Sequence, residues 1–333
     1  MPSPVLDRLL TDNERFALSH RGTVNHLPMA LVALAHMGAD DARLKAYFDW
    51  WEVNVALPRE GPETPLAFAG WRGALGLGAA FHPMATAIKD EIGAKGVDAV
   101  VGEMAPALLA GPGTLAFHAL IRLAYGLDAG HEGEVAAALA SWVATFRDLD
   151  LRTAERPAAA SPQAGLDAVS AAVGGRGPMP GSITGAMATV SADPAFRAAL
   201  AGAPTVDGAL LPLLAEASLR LYWQVPNFTV IHMITATHAA RVLFERLPGL
   251  ATPAAAQALW GAWLAAYATV GAPPFEGREP AGSARDWPDI FAAAVASDDD
   301  HVIKLTFSCG REAQAYRDDL AYRVVATRLV GLG

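Results

Sequence analysis

The sequence contains one cysteine, Cys309, among 333 residues. A single thiol cannot form an internal disulfide bond, and it excludes zinc or iron–sulfur sites built from several cysteines. This suits a reducing compartment, so we expect a cytoplasmic protein. The N-terminal residues agree, because they lack the apolar stretch behind a basic start that is typical of a signal peptide.

Charge is scarce as well, since Asp, Glu, Lys and Arg make up only 18% of the chain. The 34 acidic residues outnumber the 25 basic ones, which gives a formal net charge of -9, and Lys and Arg form no block. Nucleic acids and anionic membranes bind basic surfaces, so neither is expected as a partner. Although 53% of the residues are hydrophobic, charges interrupt the apolar segments before they reach the about 20 residues of a membrane-spanning helix.

Strand-like alternation and runs of β-branched residues are rare, whereas alanine and leucine are abundant. Apolar residues recur at helical spacing over residues 29–53, 133–149 and 255–270, which is typical of amphipathic or buried helices. We therefore predict an all-α fold of roughly ten to fifteen helices. The chain shows no repeat of fixed period, and we predict a single large helical domain over residues 1–333.

The longest segment without clear periodicity is 152–185, which includes the glycine- and proline-rich stretch 174–182. It could be a linker between domains or an irregular surface insertion that acts as a lid. We favour the insertion or lid, because the residues suspected of chemistry lie on both sides of it.

The common motifs of enzyme sites are also missing. The chain has no HExxH metal motif, no phosphate-binding P-loop and no GxSxG nucleophile elbow. Residues 111–116 loosely fit GxGxxA, but they follow a predicted helix end, whereas dinucleotide binding requires a preceding strand. The motifs therefore predict no nicotinamide site.

Three histidines, His26, His118 and His232, lie inside strongly apolar segments. A buried imidazole needs a hydrogen-bond or metal partner, because its desolvation otherwise costs free energy. Either each ring is satisfied separately in the core, or the rings share a polar or metal site built from several helices. His238 follows His232 by six residues, about 120° around a helix, so both cannot face one point. His232 has the more apolar setting, and His238 is kept in reserve.

Residues 298–301, Asp-Asp-Asp-His, suit a helix N-terminus, where acidic side chains are favourable. His301 and Lys304 are three residues apart and share one helical face. Since Lys304 stands between Ile303 and Leu305, it extends to solvent, pairs with one of the aspartates, or is buried as a neutral amine. A neutral amine can react with CO2 to form a carbamate, which would offer an anionic oxygen to a metal.

Four segments together resemble the questin oxidase-like family: residues 25–39 (NHLPMALVALAHMGA), 117–128 (FHALIRLAYGLD), 228–243 (FTVIHMITATHAARVL) and 299–316 (DDHVIKLTFSCGREAQAY). They occur in the family's order and extend over most of the chain. The resemblance implies an all-α oxygenase that acts on anthraquinone-type polyketides, as a Baeyer–Villiger-type enzyme or a ring-cleaving dioxygenase. It also implies a non-haem iron centre held by four histidines and a carboxylated lysine.

Carried over by position, His26, His118 and His232 match histidines of the family, and Lys304 matches its lysine. The fourth histidine is His301 or His238, and we favour His301 because it shares a helical face with Lys304. Histidine nitrogens and one anionic oxygen suit Fe(II), although Mn and Zn accept the same set. The resemblance implies O2 as co-substrate, and NADPH is sometimes assigned to the family, but no nucleotide fingerprint is present here.

The resulting prediction is an iron-dependent oxygenase that cleaves an aromatic polyketide or anthraquinone-like ring, with a small aromatic molecule as its partner. One alternative is a zinc hydrolase, in which a carbamylated lysine holds the metal that activates water. Another is a non-catalytic helical binding protein whose histidines satisfy one another in the core. The bulky aromatic residues either line a pocket for a planar substrate or form ordinary core: Trp50, Trp51, Trp71, Trp223, Phe117 and Phe228.

Overall fold

The computed structural model describes residues 3–21, 23–59, 64–151, 158–203, 210–274 and 279–332. Sixteen α-helices fall within these ranges, one more than the upper end of the predicted number, and the all-α prediction is confirmed. The regular strands in the same ranges are the short antiparallel pair β1 (Ser19–His20) and β2 (Thr23–Val24).

Local signals in the sequence fix where many helices begin. Ser3, Asp40, Asn227 and Thr252 each use a side-chain oxygen to accept a hydrogen bond from a backbone N–H in the first turn of the next helix. In chain order the helices are α1 (Pro4–Asp12), α2 (Leu27–His36), α3 (Asp41–Asn54), α4 (Phe81–Lys95), α5 (Val97–Leu108), α6 (His118–Ala129), α7 (Glu132–Thr145), α8 (Pro162–Val173), α9 (Ile183–Ala192), α10 (Pro194–Ala199), α11 (Leu210–Gln224), α12 (Phe228–Arg246), α13 (Pro253–Thr269), α14 (Trp287–Ala296), α15 (Asp300–Tyr316) and α16 (Asp319–Leu329).

The contacts between residues divide the chain into two compact units. The first unit comprises residues 1–101, 121–145 and 281–333, and the second comprises residues 102–120 and 146–280. Two of the four boundaries fall within α5 and α6, and a third coincides with the end of α7. The prediction of one domain over residues 1–333 stays a prediction.

In the first unit, helices from distant parts of the sequence pack together. α4 packs on α7, and α15 packs on both α2 and α16. The contact between α2 and α15 matters most for function, because it brings His26 to the start of α15. None of the helices in the described ranges is both long enough and apolar enough to cross a bilayer.

The second unit contains α8 to α13, where α11 packs on α12, and α13 packs on α8, α9 and α12. The prediction of an irregular insertion over residues 152–185 is wrong for residues 162–173, because they form α8. Residues 152–157 lie outside the described residues, and the lid function stays a prediction.

The helix α8 forms because its start and its inner face are both well specified. Ser161 accepts a hydrogen bond from the N–H of Ala164 at 3.1 Å, and Pro162 occupies the first helical position. Gly165 lets the helix approach Trp260 on α13, since a Cβ at this glycine would lie 2.6 Å from the indole ring. The glycine- and proline-rich turn that follows α8 hides this short helical pattern in the sequence.

Candidate metal centre

His26 lies between β2 and α2, where the chain leaves the strand pair and enters a buried helix. The side chain of Asn25 stabilises this turn, because its Oδ1 accepts a hydrogen bond from the N–H of Leu27 at 3.2 Å. The His26 side chain is buried, with only 1% of the residue exposed. Its Nδ1 lies 2.5 Å from Oδ2 of Asp300, and its Nε2 lies 3.3 Å from Oγ1 of Thr23. Both ring nitrogens therefore have polar neighbours.

Three polar side chains come from the first turn of α15. Asp299 caps this helix, since its Oδ1 accepts a hydrogen bond from the N–H of His301 at 2.8 Å. Nζ of Lys304 lies 2.9 Å from Oδ2 of Asp300, and Nδ1 of His301 lies 3.3 Å from the same oxygen. Oδ2 of Asp300 thus has three polar neighbours, namely Lys304, His301 and His26. We call His26, Asp300, His301 and Lys304 the α15 cluster.

Burial dominates the electrostatics of the α15 cluster. Together with the positive charge of Lys304, burial lowers the pKa of His26 to about 3, so this imidazole is neutral at neutral pH. Burial also lowers the pKa of Lys304, while the charge of Asp300 acts in the opposite direction. Burial alone would raise the pKa of Asp300, but Lys304 and His26 hold it well below its usual range. The cluster thus offers a neutral imidazole next to an ionised carboxylate.

The donor set of the α15 cluster fits a metal ion. His26, Asp300 and His301 each offer one ligand atom, and these atoms lie within 4.8 Å of one another. Two imidazole nitrogens and one carboxylate oxygen suit Fe(II), Mn(II) or Zn(II). In the structure, the ammonium of Lys304 lies against the carboxylate of Asp300, which is the group that would bind such an ion.

Sequence reasoning had assigned Asp300 only to the helix start or to an ion pair with Lys304, and it did not identify Asp300 as a possible ligand. The ion pair, one of the three alternatives for Lys304, is the arrangement in the structure. The spacing could have revealed the further role of Asp300. It stands beside His301 and four residues before Lys304, and positions four apart share a helical face.

In the second unit, His118 and His232 face each other. Their Nε2 atoms are 3.1 Å apart, and their ring centroids are 4.6 Å apart. Nδ1 of His232 lies 2.8 Å from the carbonyl oxygen of Phe228, and Nδ1 of His118 hydrogen bonds the carbonyl oxygen of Leu115. Since a carbonyl only accepts, each Nδ1 carries the proton and donates it. The two Nε2 lone pairs then point at a common region, an arrangement that suits a shared cation.

The backbone before His118 is strained in a way that fixes this ring. Leu115, Ala116 and Phe117 have φ values of 53°, 55° and 69°, in the left-handed region that residues with a Cβ rarely adopt. Three such residues in succession have a conformational cost, and strain of this kind is concentrated at functional sites. The bend places the carbonyl of Leu115 beside the His118 ring.

The predicted ligands therefore fall into two groups. His26, His301 and Lys304 meet in the first unit, and His118 meets His232 in the second. A single centre that uses all five residues stays a prediction. The reserve residue His238 is fully buried in the second unit, where its Nδ1 lies 3.5 Å from Nη2 of Arg241.

The comparison with known families covers all of these side chains. Residues 23–225 and 222–309 match the family described as questin oxidase-like. No curated protein matches the sequence. The match includes both the α15 cluster and the His118–His232 pair. The chain therefore belongs to the questin oxidase-like family, which suggests an oxidoreductase of the oxygenase class that acts on anthraquinone-type aromatic substrates.

Proposed function

We propose that the protein is a metal-dependent oxygenase that opens or oxidises a ring of an anthraquinone-like substrate, with Fe(II) as the metal and O2 as the co-substrate. The observation that carries this proposal is the convergence of His26, Asp300 and His301, whose ligand atoms lie within 4.8 Å of one another. Family membership supplies the reaction class, and the donor set supplies a place for the metal.

The protein's own residues prepare this place for a cation. Burial keeps the imidazole of His26 neutral, so a ring nitrogen can bind a metal without first losing a proton. Asp300 supplies negative charge in a region of low polarity, where it attracts a divalent ion strongly. Bound Fe(II) would supply the electrons that O2 needs to react with an aromatic ring.

Lys304 has two roles in the proposal, one for each state of the site. Without metal, its ammonium neutralises Asp300 at 2.9 Å. With metal, its neutral amine would react with CO2 and release a proton, and the resulting carbamate would offer the metal an additional anionic oxygen. Burial lowers the pKa of Lys304 and so favours the amine that this reaction needs.

His118 and His232 are proposed as metal ligands as well. Each ring donates its Nδ1 proton to a backbone carbonyl, which is the usual second contact of a metal-binding histidine. For the fourth histidine we prefer His301 to His238, because Nδ1 of His301 lies 3.3 Å from Oδ2 of Asp300.

The test begins with elemental analysis of protein purified without oxygen. Stoichiometric iron, together with O2 consumption on addition of a hydroxyanthraquinone, is the expected result, and assays with and without NADPH decide whether a reductant is needed. Zinc with hydrolytic activity would favour the hydrolase. Failure to retain any metal after incubation with Fe(II) would contradict the proposal and favour a non-catalytic binding protein.

A pair of histidine variants at the two ends of α2 makes this test specific. His26→Ala should lose iron, whereas His36→Ala should retain it. His36 is the last residue of α2, the helix that His26 precedes, but its ring stacks on Phe307 at 5.2 Å and it is not part of the α15 cluster. Equal iron content in the two variants would remove His26 from the ligands.

A further inference from the structure

Tyr47 is a fully buried residue of α3 that lies beside the α15 cluster. Its ring centroid is 6.2 Å from that of Trp51, which is in turn 6.4 Å from the ring of His26. On its other side, the guanidinium carbon of Arg43 lies 5.5 Å from the Tyr47 ring. Arg43 donates to the side chain of Asp298 at 2.9 Å, two residues before the cluster begins. Tyr47 is thus enclosed between the segment that leads into α15 and the aromatic residue next to His26.

The hydroxyl of Tyr47 is buried and has no hydrogen-bond partner among the described residues. The indole N–H of Trp51, one turn further along α3, is in the same condition. The large majority of buried side-chain polar atoms in folded proteins are paired, so two neighbouring exceptions require an explanation. A donor left unpaired next to a ligand site is a group that the ligand itself can satisfy.

Electrostatics place this hydroxyl under the influence of the α15 cluster. Burial raises the pKa of Tyr47 well above its usual range, and among the charged groups Asp300 adds the largest effect. The phenol therefore keeps its proton across the physiological range. A protonated phenol without a partner is available to donate a hydrogen bond.

We propose that Tyr47 donates a hydrogen bond to an oxygen atom of the small molecule that binds at the α15 cluster. The acceptor is a carbonyl or hydroxyl oxygen, the kind of atom that an oxygenated aromatic substrate presents. This inference rests on the proposed function, because it takes the α15 cluster as the site where that molecule binds. It makes Tyr47 a substrate-contacting residue that is not a metal ligand.

The chain offers a matched control in Tyr125. This tyrosine is also buried next to the cluster, but its hydroxyl lies 3.3 Å from the carbonyl oxygen of Lys304 and 3.4 Å from Oγ of Ser308. Replacing each tyrosine by phenylalanine removes one hydroxyl from the same region. Tyr47→Phe removes an unpaired group, whereas Tyr125→Phe removes a paired one.

The first readout is the stability of the metal-free protein, measured by urea unfolding and circular dichroism. The urea midpoint of Tyr47→Phe should equal or exceed that of the wild type, because no hydrogen bond is lost. The midpoint of Tyr125→Phe should fall. A clear fall for Tyr47→Phe, or a failure to fold, would show that its hydroxyl has a structural partner and would overturn the inference.

The second readout is ligand binding, with protein loaded with Mn(II) without oxygen and a hydroxyanthraquinone as the probe, followed by quenching of tryptophan fluorescence. Tyr47→Phe should bind the probe about tenfold more weakly than the wild type, the effect of one lost hydrogen bond. Its Mn(II) content and that of Tyr125→Phe should remain at the wild-type level, and Tyr125→Phe should bind the probe normally.

The outcomes separate the two proposals. If the wild type binds Mn(II) and the probe, but Tyr47→Phe binds the probe equally well, the role of Tyr47 is wrong while the proposed function stands. If the wild type retains no metal, the proposed function fails and the role of Tyr47 fails with it. If Tyr47→Phe loses metal instead of probe affinity, Tyr47 supports the metal site and does not contact substrate.

Discussion

The Nε2 atoms of His118 and His232 lie 3.1 Å apart, while the Nδ1 atom of each ring donates to a backbone carbonyl. Two neutral rings in this arrangement would place their lone pairs against each other, which is unfavourable. A proton or a metal ion between the two atoms removes the repulsion. The pair is therefore poised for a cation, even though each histidine could have been explained alone as a satisfied core residue.

We predict that His118→Ala lowers the metal content severalfold while the helical circular dichroism is retained. The reason is that the variant removes one of the two facing nitrogens and leaves the carbonyl of Leu115 without its donor. Elemental analysis of variant and wild type, purified in parallel, is the measurement. A full complement of metal in His118→Ala would exclude this residue as a ligand.

His238→Ala is the comparison for that experiment, because His238 is also buried in the same unit. Its Nδ1 is near Arg241, so the variant should keep its metal although it loses a buried contact. The opposite pattern, metal lost in His238→Ala and kept in His301→Ala, would make His238 the fourth ligand in place of His301.

The carboxylate of Asp300 is expected to bind the metal directly. Asp300→Asn keeps the size of the side chain but removes its charge, so the affinity for Mn(II) should fall by more than the about 10–100-fold typical of residues in the outer shell of a metal site. Isothermal titration of the metal-free protein measures this change. Asp299→Asn is the matched control, since Asn caps a helix about as well as Asp and Asp299 is an exposed residue. Equal affinities in the two variants would contradict direct binding by Asp300.

Local patterns in the sequence predicted most of the helices and the shared helical face of His301 and Lys304, whereas the grouping of His26 with these two residues was implied by the family resemblance. The spacing of the apolar residues in α3, α7 and α13 indicates helices that are buried on one side or on all sides. Lys304 is conspicuous in the sequence because it stands between Ile303 and Leu305. The pattern did not predict α8, because its buried face has few residues and the turn after it is rich in glycine and proline. The close contact of Gly165 with Trp260, which helps to hold this helix, is revealed only by the folded chain.

The state of individual polar atoms could not be predicted in the same way. The interpretation of His118 and His232 depends on where the carbonyls of Leu115 and Phe228 lie, and Leu115 is the first of three successive residues with positive φ. Tyr47 stands at an ordinary core position in an amphipathic helix, so its sequence context indicates only burial. That its hydroxyl is unpaired depends on segments far away along the chain.

Two glycine-to-alanine variants test how tightly α8 packs on α13, one at the contact itself and one at a control position in another helix. Gly165→Ala should lower the free energy of unfolding by about 1–3 kcal/mol, because the new methyl group would overlap the Trp260 ring and force the helices apart. Gly93→Ala, within α4, should raise it by about 0.5–1 kcal/mol, since the added Cβ has no atom within 4 Å and alanine favours the helix. Urea unfolding followed by circular dichroism measures both changes. Equal effects at the two positions would mean that α8 does not pack tightly on α13.

Lys304 provides the sharpest test, because its two roles predict opposite changes in metal affinity when the side chain is removed. If its ammonium only competes with a metal for Asp300, then Lys304→Ala should bind metal more tightly than the wild type. If its carbamate is a ligand, the variant should bind metal more weakly, and a short carboxylic acid should partly restore binding in the space that the side chain leaves. We expect the weaker binding and the rescue, measured by titration with and without bicarbonate and acetate.

The metal-free protein supplies the control for this variant. Loss of Lys304 leaves the partly buried Asp300 without its cation, so the free energy of unfolding should fall by about 3 kcal/mol. Lys45 and Asp49 form an exposed pair with the same spacing, and Lys45→Ala should cost no more than about 0.5 kcal/mol. A fall in stability without a fall in metal affinity would identify Lys304 as a structural partner of Asp300. A fall in both, with rescue of the affinity alone by acetate, would require the carbamate, because acetate can replace a lost carboxylate ligand but not a lost ammonium.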